Sequence, residues 1–391
     1  MILGRDLAAR VWRRSFHCHD DSDFACDLRK RLEGPAKSWR SPGGGVSALA
    51  KMTPTLREVA ALARVSTSAV SRTYTAGASV SAKTRAKVEE AAKALGYAPS
   101  LIARSLATNR TKLIGLVANN FQNPVFLDVF DLYTRALQGR GFRPLLVNLT
   151  DVADPTESVR LLRQYNVDGV IVATSTLPPQ FAFAFRNAGL AVVHAFGRAA
   201  RRPPVHVVGV NNAAAGKLAA QTLLARGYRR LAFLGGPETA TSTQDRAEGF
   251  VKALKAARAP KPELAFASAY SYGAGREAMA PMLERARFEA LFCGDDLIAM
   301  GAMDAARALG RAVPGDLGFL GFNDMAMAHW APYSLTTIRQ PIAEIIGRSV
   351  ELVVALVDAP DSAPVSMAFA CSVVERATLR PLPVKAAKAP G

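Results

Sequence analysis

The chain has few of the residues and runs that mark several large protein classes. Its four cysteines, Cys18, Cys26, Cys293 and Cys371, form no CxxC pair and no disulfide-framework spacing, which excludes a stapled extracellular scaffold and points to a reducing cytoplasm. No stretch of eighteen or more apolar residues occurs, so no transmembrane helix is expected and no membrane partner. The N-terminal arginines are not followed by an apolar core, so a secretory signal is not expected. There is no GxGxxG after the first strand-like run, no Walker loop, no GxSxG elbow and no HExxH. Asp295 and Asp296 are adjacent at a helix start, where side chains diverge, and this argues against paired acid–base chemistry. His194 and His329 are isolated and read as core or surface histidines. The reading is therefore not an enzyme, and no cofactor or metal is expected.

Acidic residues are also scarce: 32 against 49 lysines and arginines in 391 residues, a formal charge of +17. The excess is uneven. Residues 51–110 hold ten basic and three acidic side chains, whereas residues 111–391 hold thirty and twenty-three. Net charge is +7 in each, so net positive charge per residue is several-fold higher over 51–110, which implies a polyanionic partner there and steeply salt-dependent binding. Half of the residues are hydrophobic, enough for two or three globular domains.

The basic region has helical punctuation. Thr55 is a candidate N-cap, and Leu56, Val59, Ala60, Leu62 and Ala63 are expected to give one small apolar face. After a turn at Arg64 and Val65, a second helix from Ser66 to Tyr74 should bury Ala69 and Val70 and expose Thr67, Ser68, Ser71 and Arg72. Hydrogen-bonding side chains at the leading end of such a helix suit base edges in a major groove. Ser81 caps a third helix with a Val88, Ala91, Ala92 and Leu95 stripe, stopped by Gly96.

Thr-Leu-Arg-Glu-Val-Ala (55–60), Val-Ser-Thr-Ser-Ala-Val-Ser-Arg (65–72), Val-Ser-Ala-Lys-Thr-Arg (80–85) and Gly-Tyr-Ala-Pro-Ser-Leu-Ile-Ala-Arg-Ser-Leu-Ala (96–107) together resemble the lactose-repressor/purine-repressor family. The resemblance implies that the last segment is a hinge helix that folds on operator DNA, with Leu106 wedged into a minor-groove base step beside Arg104. The DNA-facing set is then Thr55, Ser66, Thr67, Ser68, Ser71, Arg72, Thr75, Ser81, Thr84, Ser100, Ala103, Arg104 and Leu106. A three-helix packing module without DNA is the bland alternative.

The expected organisation is an unassigned, disordered extension at 1–52, a helix-turn-helix domain at 53–98, hinge helix and linker at 99–110, a core at 111–384 and a tail at 385–391. The extension departs from the family pattern, whose head begins near Met52, and is consistent with an overextended reading frame. Asp20, Asp21, Asp23, Arg29, Lys30 and Arg31 interrupt every apolar face in it, and Ser41 to Gly45 reads as a linker. His17, Cys18, His19 and Cys26 lack the second ligand pair that a metal site needs.

Beyond residue 111, strand-like and helix-like runs alternate. They are Lys112–Asn119, Pro124–Arg140, Pro144–Leu149, Pro155–Tyr165, Gly169–Thr174 and Ala191–Phe196, then a second round from Asn211 to Phe322. This pattern predicts two doubly wound parallel-sheet lobes. Ser334–Gln340, Ile342–Leu356 and Val365–Thr378 are too few for a third domain. The resemblance implies that they complete a periplasmic-binding-protein-like core, with lobe one at about 111–210 and 339–368 and lobe two at about 211–338 and 369–384.

Ligands of such cores bind at strand C-termini, between the lobes. Asn119, Asn120, Arg198, Asn211, Arg246, Asp295, Asp296, Asn323 and Asp324 fall at such ends, and amides, carboxylates and guanidinium together suit a polyhydroxylated ligand. By the resemblance, Arg246 in Asp-Arg-Ala-Glu-Gly-Phe matches the arginine that holds the effector, and Tyr270 matches a ring-stacking position. Asn120 and Phe126 match positions in lobe one. Asp295 stands where the family has asparagine, and Asn323 where it usually has aspartate. The expected effector set is Asn120, Phe126, Arg198, Tyr270, Arg246, Asp295 and Asn323. Each has a plainer reading: Asn211, Asn323 and Asp324 as caps or turns, Arg198 as a solvated charge beside Arg201 and Arg202, and Phe126, Tyr270 and Trp330 as core.

The function expected is a homodimeric, cytoplasmic, sequence-specific regulator, a repressor, that binds double-stranded operator DNA and answers to a sugar or sugar acid. A carbohydrate-binding protein without a regulatory role would lack the head and carry a signal peptide. An architectural DNA-binding protein would not need two lobes. The chain after Thr378 carries three prolines and no heptad, so a tetramer is not expected.

Overall fold

In the computed structural model the described residues are 54–75, 77–100, 105, 108, 110–149, 154–177, 179–285 and 287–383. The expectations for the extension 1–52, for Ala103, Arg104 and Leu106 in the hinge, and for the tail 385–391 lie outside them. The chain forms two compact units, up to Ala98 and from Pro99 onward.

The first unit contains α1 (Leu56–Ala63), α2 (Thr67–Thr73) and α3 (Ala82–Leu95). Each begins on a hydroxyl cap. Thr55 forms a full capping box with Glu58, Ser66 Oγ accepts from Ala69 N, and Ser81 Oγ accepts from Thr84 N. Arg64 ends α1 in the left-handed region and Gly96 ends α3 there. Val59, Ala60, Ala63, Val70, Val88, Ala91 and Ala92 make the small core. Leu62 is a correction, being 53% exposed. At 100° per residue it sits roughly 110° away from the stripe that 56, 59, 60 and 63 share.

The second unit has two six-stranded sheets. The first contains β1 (Leu113–Ala118), β2 (Arg143–Asn148), β3 (Gly169–Ala173), β4 (Val192–Ala195), β5 (His206–Val210) and β11 (Ser366–Phe369), in the order β11-β5-β4-β3-β1-β2. All of its pairings are parallel. The second contains β6 (Leu231–Gly235), β7 (Glu263–Phe266), β8 (Ala290–Cys293), β9 (Gly318–Asn323), β10 (Thr337–Arg339) and β12 (Ser372–Val374), in the order β12-β10-β9-β8-β6-β7. Only β12 runs antiparallel. Strands such as β3, β5, β6 and β9 are buried at every position, as parallel strands covered on both faces must be.

The covering helices are α4 (Val125–Gln138), α5 (Thr156–Gln164) and α6 (Pro179–Asn187), then α7 (Asn212–Ala225), α8 (Thr241–Ala256), α9 (Tyr272–Arg285) and α10 (Asp296–Ala308), and finally α11 (Ile342–Asp358). Helix α11 returns to pack on α4, β3, β4 and β5. The chain therefore passes between the lobes after β5, after β10 and between β11 and β12.

Two of these elements were not expected. In α6 the Phe-Ala-Phe-Ala-Phe run alternates with the period of a strand, yet Phe181, Ala182 and Phe185 are buried at helical spacing while Phe183 is 37% exposed. Strand β5 is only five residues long and follows Arg-Arg-Pro-Pro, which masks it as a loop.

Candidate functional site

Two regions collect the candidate residues. In the first unit, Thr67, Ser68, Ser71 and Arg72 lie on the exposed face of α2, and Thr75 just beyond it. Among the described residues Arg72 has no carboxylate partner. Arg85 Nη1 donates to the Thr73 carbonyl at 2.8 Å and so fixes the end of α2 against α3. Thr55, Ser66, Ser81 and Thr84 are placed in caps: Ser81 Oγ donates to Thr84 Oγ1 at 2.9 Å, and the Thr55 N–H donates to Glu58 at 2.6 Å. That N–H, with the Thr55 hydroxyl, holds the Glu58 carboxyl below its usual range. Ser100 is exposed.

In the second unit a cavity of about 570 Å³, its open mouth included, lies where the C-terminal ends of both sheets face each other. Asn120, Phe126, Arg246, Tyr270, Asp295 and Asn323 all line it. Three of them, Asn120, Asp295 and Asn323, are positioned by strand-end geometry. Asn120 follows β1 with φ +61°, and Asn323 ends β9 at φ +120°. Asp295 follows β8 and caps α10 by accepting from Leu297 N at 2.8 Å.

Arg246, on α8, is buried to 4% exposure. Its Nε donates to Asn212 Oδ1 at 2.8 Å, its Nη1 donates to the Gly294 carbonyl at 2.6 Å, and its face lies 3.6 Å over the Phe322 ring. Nη2 is left uncommitted among the described residues. Burial lowers the guanidinium's affinity for its proton.

The Asp295 carboxylate accepts from Asn323 Nδ2 at 2.8 Å and from Asn123 Nδ2 at 3.1 Å. Burial pushes its pKa up to about 6 despite these donors. Asn323 Oδ1 accepts in turn from Gln340 Nε2 at 2.6 Å. The two departures from the family pattern are thus bonded partners: one carboxylate and one amide remain, with their positions exchanged.

Tyr270 is held by its hydroxyl, 2.7 Å from Thr243 Oγ1 and 3.1 Å from Ser242 Oγ. Its ring lies so close to Gly236 that a Cβ there would stand 2.5 Å away, so glycine is required at that position. On the opposite wall Asn119, Thr174 and Thr176 close a ring of hydrogen bonds of 2.7 to 3.0 Å. His194 supports it from beneath by donating from Nε2 to the Thr174 carbonyl at 3.0 Å. The His194 ring is buried, and its pKa falls to about 4.

Arg198 is a correction, since the structure does not bring it to the cavity. It pairs with Asp245 at 2.8 Å and donates to the Thr241 carbonyl at 3.2 Å, tying the loop after β4 to α8. Asp245 on the facing lobe offers it a carboxylate, and an unpaired guanidinium inside would cost more. Asn211 is the N-cap of α7, with its side chain accepting from Ala214 N. Asp296 diverges from Asp295: it accepts from Met325 N and from Thr337 Oγ1, and burial raises its pKa to about 7. Asp324 pairs with Arg376 and Arg339. Trp330 is 55% exposed and is not core. Sequence reading missed Asn123, Thr174, Ser175, Thr176, Phe196, Gln340 and Ile342 as lining residues. Asn123-Pro124 before a helix was a turn signal, but nothing local marked its partner 172 residues away.

Among the described residues no helix is long and apolar enough to cross a membrane. Residues 55–100 match the model for bacterial regulatory proteins of the lacI family, and residues 220–379 match a periplasmic binding protein-like domain. The chain is 34% identical over 293 residues to the HTH-type transcriptional repressor PurR of Photorhabdus laumondii subsp. laumondii, covering 73% of this chain and 85% of that one. The PurR of Proteus mirabilis is 33% identical over the same extent. Among solved structures, a lac repressor dimer bound to operator and the anti-inducer ONPF aligns with TM-score 0.76 and 25% identity, over 83% of this chain and 98% of that one. A transcriptional regulator CelR–cellobiose complex aligns with TM-score 0.62 and 29% identity, over 83% and 99%. With a capped three-helix head, two doubly wound lobes and relatives that are transcriptional repressors and not enzymes, the chain belongs to the lacI family of bacterial regulatory proteins and is a DNA-binding transcriptional regulator.

Proposed function

We propose that the protein is a cytoplasmic repressor that binds a palindromic operator as a homodimer and is switched by a polyhydroxylated effector, a sugar or sugar acid, held between its lobes. The observation that carries the effector reading is the chemistry left available in the cavity. Phe126, Phe196 and Tyr270 supply aromatic surface, while the side chains of Asn120 and Ser175, Arg246 Nη2 and Gln340 Oε1 are not committed to protein partners among the described residues. Short, neutral hydrogen-bonding groups beside rings, with one guanidinium, match hydroxyls on an apolar sugar face. The cellobiose complex of CelR is consistent with this ligand class.

On the DNA side, Thr67, Ser68, Ser71 and Arg72 are the base-facing set. Thr55, Ser66, Thr75, Ser81, Thr84 and Ser100 lie around the backbone, and Ala103, Arg104 and Leu106 form the hinge contact. A thermal-shift screen of sugars and sugar acids tests the effector reading, because a ligand that binds only the folded state raises its stability by mass action. At least one polyol should raise the melting temperature of the wild type and leave Arg246→Ala unmoved, while that variant keeps operator affinity. A response to planar nucleobases alone, or an Arg246→Ala protein that still responds, would refute the assignment.

A further inference from the structure

Asn123 is 2% exposed and every polar atom of its side chain is committed. Oδ1 accepts from Val125 N at 3.1 Å, a local turn bond within lobe one. Nδ2 reaches across to lobe two, donating to Asp295 Oδ2 at 3.1 Å and to the Tyr270 carbonyl at 3.4 Å. Asp295 is equally occupied, since its other donors are Leu297 N and Asn323 Nδ2, both from lobe two. A bond from a neutral amide to a buried carboxylate is about twice as strong as one between neutral groups, and its loss leaves a charge short of a donor.

We infer that Asn123 is a positioning residue that latches the two walls of the cleft through Asp295 and withholds that carboxylate from the effector. The other cross-cleft bonds among the described residues go to a backbone carbonyl or to part-exposed groups: Thr241 Oγ1 and Ser242 N to the Ser175 carbonyl at 2.9 and 3.2 Å, and Arg198 to Asp245, Gln244 and the Thr241 carbonyl. Asn123 alone among them reaches a buried charge in the cavity wall. A ligand meets Arg246 as the charged group of the pocket, and the spacing of the walls is set by an amide–carboxylate pair beneath it.

Hydrogen exchange on the full-length protein tests this without any effector, so the result is independent of the sugar reading. Asn123→Ala should speed amide exchange about tenfold both at 119–126 in lobe one and at 294–298 in lobe two. Asn123→Ser, whose hydroxyl can still accept from Val125 N in the turn but is too short to reach Asp295, should speed both segments as Asn123→Ala does. Faster exchange confined to 119–126 would show Asn123 to be only a turn residue and would overturn the inference. So would unchanged exchange in Asn123→Ala, or wild-type exchange in Asn123→Ser.

Discussion

His194 gives a prediction whose size follows from its surroundings. The ring sits at the end of β4 under the Asn119–Thr174–Thr176 network, fully buried, with Nε2 donating to the Thr174 carbonyl and Nδ1 without a hydrogen-bond partner. Burial therefore favours the neutral ring and lowers its pKa from 6.5 to about 4.

The unfolded chain binds the proton more readily than the folded one, so stability falls as pH drops through the window from 6.5 to about 4. At 1.36 kcal/mol per unit, this one group removes about 2.5 kcal/mol by pH 4.5 relative to pH 7.5. Gln at this position keeps a donor for the Thr174 carbonyl and does not titrate. Urea unfolding of wild type and His194→Gln from pH 7.5 to 4.5 isolates the effect, because Asp295 and Asp296, which are raised and act in the opposite sense, are common to both. The difference between the two proteins should be constant above pH 7 and shift by about 2.5 kcal/mol toward the variant by pH 4.5. Parallel curves across the whole range would mean that the ring is not held neutral by the fold, and would refute the reasoning.

Replacing Thr67, Ser68 or Arg72 should change which operator is preferred, by about 1–3 kcal/mol for each good base contact, as read by competition binding on operator variants. Uniform weakening on every sequence would place them on phosphates. Leu106→Ala should lower operator affinity in a gel-shift assay while leaving the effector-induced thermal shift of the same protein intact; equal loss of both would indicate a folding defect. Light scattering should give a dimer, and a stable tetramer, or a monomer that binds a half-site at full affinity, would contradict the two-fold arrangement.

Much of this architecture is readable from local chemistry. The caps at Thr55, Ser66 and Ser81 act through neighbours three residues away, and β-branched runs such as Gly169–Ala173 announce buried strands. The cavity residues Arg246, Tyr270, Asp295 and Asn323 were readable through the family resemblance, since their local sequence left a cap, turn or core reading equally open. What failed was information held at a distance. The Phe-Ala alternation of α6 carries the wrong local period, and only the sheet beneath it decides which phenylalanines are buried. Arg198 looked available because Asp245 is 47 residues away in sequence. Asp295 and Asn323 looked like two independent departures until their 2.8 Å bond showed them to be partners.

The three passages of the chain between the lobes also govern its synthesis. Strand β11, an edge of the first sheet, and β12, an edge of the second, lie at Ser366–Phe369 and Ser372–Val374, while α11, which seals the first lobe, begins only at Ile342. A nascent chain emerging from the ribosome thus holds two incomplete sheets until synthesis has passed Val374, and each exposes an unpaired strand during that time. Translational pausing late in the message, or termination just after Asp358, should consequently send both lobes toward chaperones or aggregation together, whereas the three helices that precede them have no such dependence on the distal sequence.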